Sequence, residues 1–225
     1  VDSRQPNAYT EEDSQLAQAF GNQAAIAIEN ARLFEKVQKL AITDPLTELY
    51  NRRGFFEIGE HEIERAHRFS RPLVAMMVDV DHFKYINDEF GHAVGDKVLQ
   101  QISTRIRNNV RKVDIVGRYG GDEFIMILPA TLRQGAATVA AHMRLALGSQ
   151  PYMAPDGSAI PLRLSFGAAS FPEDGHDAQS LIAIADANLY ESKRWGGDTV
   201  TLRRETFANE TIDSTGFSTL DALVS

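Results

Sequence analysis

Cysteine is absent from all 225 residues, which excludes a disulfide framework and a thiolate metal centre and agrees with a reducing, cytoplasmic setting. Positive charge is also scarce: 23 Lys and Arg stand against 31 Asp and Glu, for a net charge of -8 and a pI near 5.3. No basic footprint for a nucleic-acid duplex follows from that balance, although a local Lys/Arg pocket can still hold a free mononucleotide in an acidic protein. No apolar run approaches the roughly 20 residues that span a bilayer, and no signal-peptide pattern is visible. The chain opens on Val1 rather than Met, which suggests a piece of a longer protein. Hydrophobic residues make up 43% of it, enough for the core of one ordinary domain with a flanking segment.

The stretch Arg118-Tyr119-Gly120-Gly121-Asp122-Glu123-Phe124 concentrates the chemical information. Val116–Tyr119 and Phe124–Leu128 are apolar and β-prone, and Gly120-Gly121 supplies positive φ angles for a tight turn, so the segment reads as a β-hairpin. Without Cβ atoms at Gly120 and Gly121, backbone N–H groups can approach a nucleotide phosphate, and Asp122 can offer oxygen to a hard divalent cation. An ordinary hairpin with solvated acids at its tip is the plainer alternative.

A second acidic group lies upstream. The apolar run Leu73–Val78 ends in Asp79-Val80-Asp81 and continues as His82-Phe83-Lys84-Tyr85-Ile86-Asn87-Asp88. This reads as a buried strand opening into a helix, with Lys84 about one turn in. Carboxylates delivered by two separate strands are raw material for metal-assisted phosphoryl transfer. Asp81 has a second reading, as a cap of the helix that follows.

Gly120-Gly121-Asp122-Glu123-Phe124 matches the signature of the GGDEF family, the diguanylate cyclases, and other blocks of that family occur in order. Asp44-Pro45-Leu46-Thr47-Glu48-Leu49-Tyr50-Asn51-Arg52-Arg53 resembles its opening motif, with Glu48 where Gly is usual. Asp79–Asp88, Phe90-Gly91-His92 and Gly95-Asp96 resemble its metal and base-recognition block. Ser165-Phe166-Gly167 and Ala185–Lys193 resemble its closing strand and helix. The resemblance implies an α/β (α+β) domain over 42–202 with the ferredoxin-like βαββαβ core of nucleotidyl cyclases and polymerase palms. Hydrophobic patterning separately predicts helices at 52–69, 83–89, 95–110, 132–148 and 178–194. It predicts strands at 73–79, 162–170 and 199–202, and the hairpin at 114–129.

The activity implied by the resemblance is condensation of two GTP into cyclic di-GMP and two pyrophosphates in a face-to-face homodimer. Mg²⁺ or Mn²⁺, two per active dimer, would be held by Asp79, Val80, Asp122 and Glu123. Asp79, Asp122 and Glu123 form the catalytic set, with Glu123 either a ligand or the group that assists deprotonation of the 3′-hydroxyl. Phe83, Lys84, Asn87, His92, Asp96, Gly120, Gly121, Lys193 and Arg194 line the substrate. A carboxylate at Asp96 can accept from guanine N1–H and N2–H together, and Asn87 suits the remaining edge. Taken alone, Asp96 after Gly95 reads first as a helix N-cap.

Arg111-Lys112-Val113-Asp114 matches the family's RxxD inhibitory motif, and six strand residues place Asp114 roughly 20 Å from the glycine turn. Arg111 and Asp114 are therefore expected to form a separate site at which cyclic di-GMP inhibits. One departure stands out. The closing motif reads Lys193-Arg194-Trp195-Gly196-Gly197, with Gly197 in the usual position of Arg. Loss of a charge-assisted phosphate contact would lower GTP affinity by roughly one to two orders of magnitude unless Arg194 substitutes. A catalytically weak module that senses GTP or cyclic di-GMP is the alternative function.

Residues 1–41 read as a signalling helix. Thr10-Glu11-Glu12-Asp13 forms a capping-box pattern, and good helix formers run to about Leu40. Ile26, Leu33 and Leu40 repeat at seven-residue spacing with Val37 nearby, which suits a coiled-coil seam or a stripe packed on the chain's own domain. Asn22–Leu33 resembles the last helix of a GAF sensory domain. The tail 203–225 carries no motif and reads as disordered or as a short docking helix.

Overall fold

A computed structural model describes residues 10–195 and 197–202. Six helices and seven strands occur among them: α1 (Glu11–Ile42), α2 (Arg52–Phe69), β1 (Leu73–Val80), α3 (Phe83–Phe90), α4 (His92–Asn108), β2 (Ile115–Gly120), β3 (Glu123–Pro129), α5 (Arg133–Gly148), β4 (Tyr152–Met153), β5 (Ala159–Ile160), β6 (Leu164–Phe171), α6 (Ala178–Arg194) and β7 (Val200–Leu202).

The main sheet runs β2-β3-β1-β6-β7. Its first four strands are antiparallel neighbours and β7 adds in parallel to β6. Leaving β7 and the short pair β4–β5 aside, the strand order is that of the ferredoxin-like βαββαβ core expected from the motifs.

β1 sits at the centre and all eight of its residues are buried, which is why its sequence is continuously apolar from Leu73 to Val78 instead of alternating. Strand parity sorts its side chains. Val74, Met76, Val78 and Val80 pack with Val98, Leu99 and Ile102 of α4 and with Ala136, Ala140 and Met143 of α5. Leu73, Ala75 and Met77 pack with Phe55 and Ile63 of α2 and with Leu181, Ala185 and Leu189 of α6. β3 divides likewise: Phe124, Met126 and Leu128 face one layer, Ile125 and Ile127 the other. Burial of each Val, Leu, Ile, Phe or Met among these is worth about 1.5–3 kcal/mol.

Helix ends follow local chemistry. Asn51 caps α2 by accepting from the Gly54 N–H at 2.9 Å. Asp177 and Ser180 form a reciprocal capping box on α6. Thr10 and Asp13 do the same on α1, where the Asp13 N–H donates to Thr10 Oγ1 and the Thr10 N–H to Asp13 Oδ2.

Several expectations need correction. α4 begins at His92, not at 95. Asp96 therefore lies inside the helix, and its reading as an N-cap is excluded. Asp81 does not cap α3: the N-cap is His82, in the left-handed region at φ 60, with no side-chain capping bond. Of the two glycines in the hairpin, only Gly121 has positive φ, at 48. The β4–β5 pair is additional. Its turn, Pro155-Asp156-Gly157, is an ordinary turn sequence, but two-residue strands carry no period to detect. On α1, Ile26 is 60% exposed, while the side chains of Leu33, Val37 and Leu40 lie outside the described residues, as does the tail from 203.

Candidate active site

Strand parity and register bring the acidic residues together. Asp79 has the parity of Leu73, Ala75 and Met77, so at the end of β1 it points to the α6 layer. Its partner across the ladder is Glu123, which has the parity of Ile125 and Ile127 and faces the same way. The Val80 N–H donates to the Asp122 carbonyl at 3.2 Å, fixing the hairpin turn against the end of β1. From the last turn of α6, Lys193 reaches down to Asp79, with Nζ 2.6 Å from Oδ2.

The electrostatics show how crowded these groups are. Burial, foremost, pushes the Asp79 carboxyl up to about 6; the Lys193 ammonium opposes that, and the Asp122 and Glu123 charges add to it. Burial also raises Glu123, helped by Asp186 and Asp122 and opposed by Lys193. Among the described residues no three acidic or His side chains already enclose an ion; Lys193 carries the compensation. The donors are all hard oxygens, the chemistry that suits Mg²⁺ or Mn²⁺.

The turn itself is open. A Cβ built at Gly120 or Gly121 would meet nothing within 4 Å, so the space above the backbone is free for a phosphate. Arg118, to which no motif assigns a role, pins this turn. Its Nε and Nη2 donate to the Gly121 carbonyl at 3.0 and 2.7 Å, and Nη1 reaches the Asp44 carboxylate at 3.3 Å. Asp44 also accepts from the backbone N–H and hydroxyl of Thr47 at 2.8 and 2.7 Å. Burial would raise Asp44, but the Thr47 bonds and the Arg118 charge together hold it below the ordinary carboxylate value. The opening motif thus acts as a bracket for the glycine turn. The signal in the sequence was its Asp and Thr, three residues apart, but the partner 74 residues away could not be read from spacing.

The remaining substrate candidates spread over α3, α4 and α6. Phe83, Lys84 and Asn87 lie on α3, with Lys84 exposed. A Cβ on Gly95 would collide with the Asn87 carboxamide, so Asn87 rests directly on the α4 backbone next to the exposed Asp96. His92 starts the same helix and is exposed. Arg194 is paired with Glu191 at 3.1 Å, on the exposed surface.

Arg111 and Asp114 form a closed pair away from this cluster. Arg111 Nη2 donates to Asp114 Oδ1 at 2.8 Å and Nε to Oδ2 at 3.2 Å. The same Nη2 also reaches the Pro129 carbonyl at 3.0 Å and Thr131 Oγ1 at 2.8 Å. The Asp114 side chain is 2% exposed and that of Arg111 54%. As it stands, the site presents a guanidinium, held in place by the acid.

The family described as "Diguanylate cyclase, GGDEF domain" matches residues 41–199. Among curated proteins, diguanylate cyclase DosC of Escherichia coli (strain K12) is 42% identical over 172 residues, covering 76% of this chain and 37% of that protein. The response regulator PleD of Caulobacter vibrioides is 35% identical over 163 residues, covering 72% and 36%. The chain thus spans little more than a third of the length of these relatives. Among solved structures, the coiled coil and GGDEF domain of DgcB from Caulobacter crescentus, in complex with c-di-GMP, superposes with a TM-score of 0.77 at 29% identity, covering 84% of this chain and 99% of that one.

Proposed function

The chain belongs to the GGDEF family of diguanylate cyclase domains, and from that premise we propose that it condenses two GTP molecules into cyclic di-GMP and two pyrophosphates. Each domain binds one GTP, and two domains face each other as a homodimer. The observation that carries this reading is the register of Asp79 with Glu123, which puts both carboxylates on the α6 face under Lys193.

Asp79, the Val80 carbonyl, Asp122 and Glu123 would hold divalent ions. Bound there, Mg²⁺ or Mn²⁺ offsets triphosphate charge and makes the 3′-hydroxyl easier to deprotonate. The residues themselves bind and orient. The Gly120-Gly121 turn, open at both Cβ positions, cradles phosphate, with Arg118 keeping the turn in place. Lys193, which pairs with Asp79, would be available to the triphosphate with Asp79 engaged as a metal ligand, and Lys84 adds charge from α3. Asp96 accepts from the guanine N1–H and N2–H, and Asn87 takes the remaining edge, with Phe83 and His92 flanking the base. Glu123, with its raised proton affinity, serves either as a ligand or as the acceptor of the 3′-hydroxyl proton.

Inhibition by cyclic di-GMP is assigned to Arg111 and Asp114. Asp114 is committed to Arg111, so a guanine or phosphate group engages the guanidinium first and reaches the carboxylate only by exchanging those bonds. Arg111→Ala is expected to abolish product inhibition while leaving the initial rate unchanged.

One observation favours a second reading, a nucleotide receptor with weak turnover. Position 197 carries no guanidinium, and Arg194 is engaged by Glu191. Chromatographic assay of GTP turnover with Mg²⁺ across protein concentrations, after removal of co-purified nucleotide, separates the two. Cyclic di-GMP formed at a rate per chain that rises with concentration supports the cyclase. Retained binding without product at any concentration refutes it in favour of the receptor.

A further inference from the structure

Asp81 lies two residues beyond Asp79 and is spent on neither a helix cap nor an ion pair. Its Oδ1 accepts from Ser165 Oγ at 2.7 Å, and its Oδ2 accepts from the Asp198 backbone N–H at 2.8 Å. The same N–H reaches Ser165 Oγ at 3.1 Å, so Asp81, Ser165 and Asp198 close a triangle of hydrogen bonds. Ser165 is fully buried on β6, and its ladder partner on β1 is Asp79. Gly197 adopts φ 76, and a Cβ there would stand 3.0 Å from Asp81 Oδ1. The chain leaving α6 is therefore folded tightly over the carboxylate, and Lys193 is the last lysine before that fold.

We propose that Asp81 is a positioning residue: it clamps the Gly197–Asp198 turn to the ends of β1 and β6, and thereby holds Lys193 in reach of Asp79 and of the substrate phosphates. One bond, from the Asp198 N–H 117 residues away in sequence, ties the chain that follows α6 to the end of the strand that carries Asp79, and a second, from Ser165 84 residues away, ties β6 to the same carboxylate. A charge-assisted acceptor for a backbone N–H is among the stronger neutral-to-ion contacts, so its loss loosens the turn, which keeps the Arg144 bond to the Asp198 carboxylate at 2.8 Å and the Gly197 N–H bond to the Ser192 carbonyl at 3.3 Å. The glycine at 197 is part of the clamp, because the left-handed φ and the nearby carboxylate leave no unstrained place for a side chain.

The kinetic consequence rests on the cyclase reading; the positioning claim does not. Asp81→Asn keeps the shape and one acceptor, Asp81→Ala removes both, and Ser165→Ala removes the third corner. Trp195, the only tryptophan in the chain, stands between Lys193 and Gly197 and is 80% exposed, so its fluorescence anisotropy without nucleotide reports the order of the turn. Anisotropy should fall in Asp81→Asn and further in Asp81→Ala, with Ser165→Ala in the same direction and the double variant Asp81→Asn/Ser165→Ala no worse than additive. With GTP, KM should rise about three- to tenfold in Asp81→Asn with kcat changed less than about twofold, the mark of a loosened binding contact. Unchanged anisotropy in both Asp81 variants overturns the proposal. So does a loss of kcat with KM unchanged, which would make Asp81 part of the reacting centre. If the wild type makes no product, the cyclase reading fails, and the anisotropy series still decides the role of Asp81.

Discussion

Replacing Asp79 by Asn should stabilise the fold in the absence of divalent ions while abolishing turnover. Asp79 is 5% exposed, and burial, the main cause, lifts its carboxyl from 3.8 to about 6. A raised carboxyl binds its proton more tightly in the folded than in the unfolded chain, so folding loses stability as pH rises from 3.8 towards 6. The full penalty above that window is about 3 kcal/mol, with about half of it already present near pH 5. Asparagine has no such ionisation, and Lys193, 43% exposed, stays solvated when its partner is lost. Thermal unfolding with a chelator near pH 8 should therefore place Asp79→Asn above the wild type by several degrees, since about 1 kcal/mol moves the midpoint of a domain this size by roughly 2–4 °C. The gap should shrink near pH 5, and Mg²⁺ should narrow it near pH 8 by stabilising the wild type alone. A variant less stable than the wild type at both pH values, or a gap that does not change with pH, would refute the account of Asp79 as a carboxylate held at an electrostatic cost.

Arg118→Met removes two bonds to the Gly121 carbonyl and the Asp44 pair; a loss of about ten- to a hundredfold in kcat/KM is expected from steady-state assays, at about 1.5–3 kcal/mol for a charged hydrogen bond. Glu48 sits at φ 58, and its ion pair with Arg107 is long at 3.8 Å and exposed. Glu48→Gly should therefore raise stability by about 1–2 kcal/mol in denaturant titrations, because left-handed backbone is costly for any residue with a Cβ. Gly197→Arg should destabilise by a similar amount, about 1–2 kcal/mol, through the same left-handed penalty and the approach to Asp81. It should not tighten GTP binding measured by calorimetry, although Arg is the usual residue there; a tenfold gain in affinity without loss of stability would show that the turn can rearrange freely.

Much of this domain is legible in the order of its residues. Helix α2 begins and ends where the expected 52–69 segment does, because Asn51 and Ser70 bound an amphipathic stretch with strong local signals. β1 and the hairpin follow from a continuous apolar run and a Gly-Gly turn. α4 starts three residues ahead of the expected 95 because Gly91-His92 offers no side-chain cap and the helix simply follows on from α3. The GGDEF signature, Asp79 and Asp96 identify the family by type and spacing.

Local spacing does not reveal which distant groups share charge. That Asp79 and Glu123 lie side by side depends on antiparallel register between strands more than forty residues apart. Three further pairings depend on how folding returns distant segments to one another: Lys193 of α6 with Asp79, Arg118 of β2 with Asp44 ahead of α2, and Asp81 with the Gly197–Asp198 turn. The covalent order sets propensity, caps and the kinds of atoms available for metal and phosphate. Burial, register and the close return of the chain over Asp81 arise only on folding, and these set proton affinities and choose which lysine faces which carboxylate.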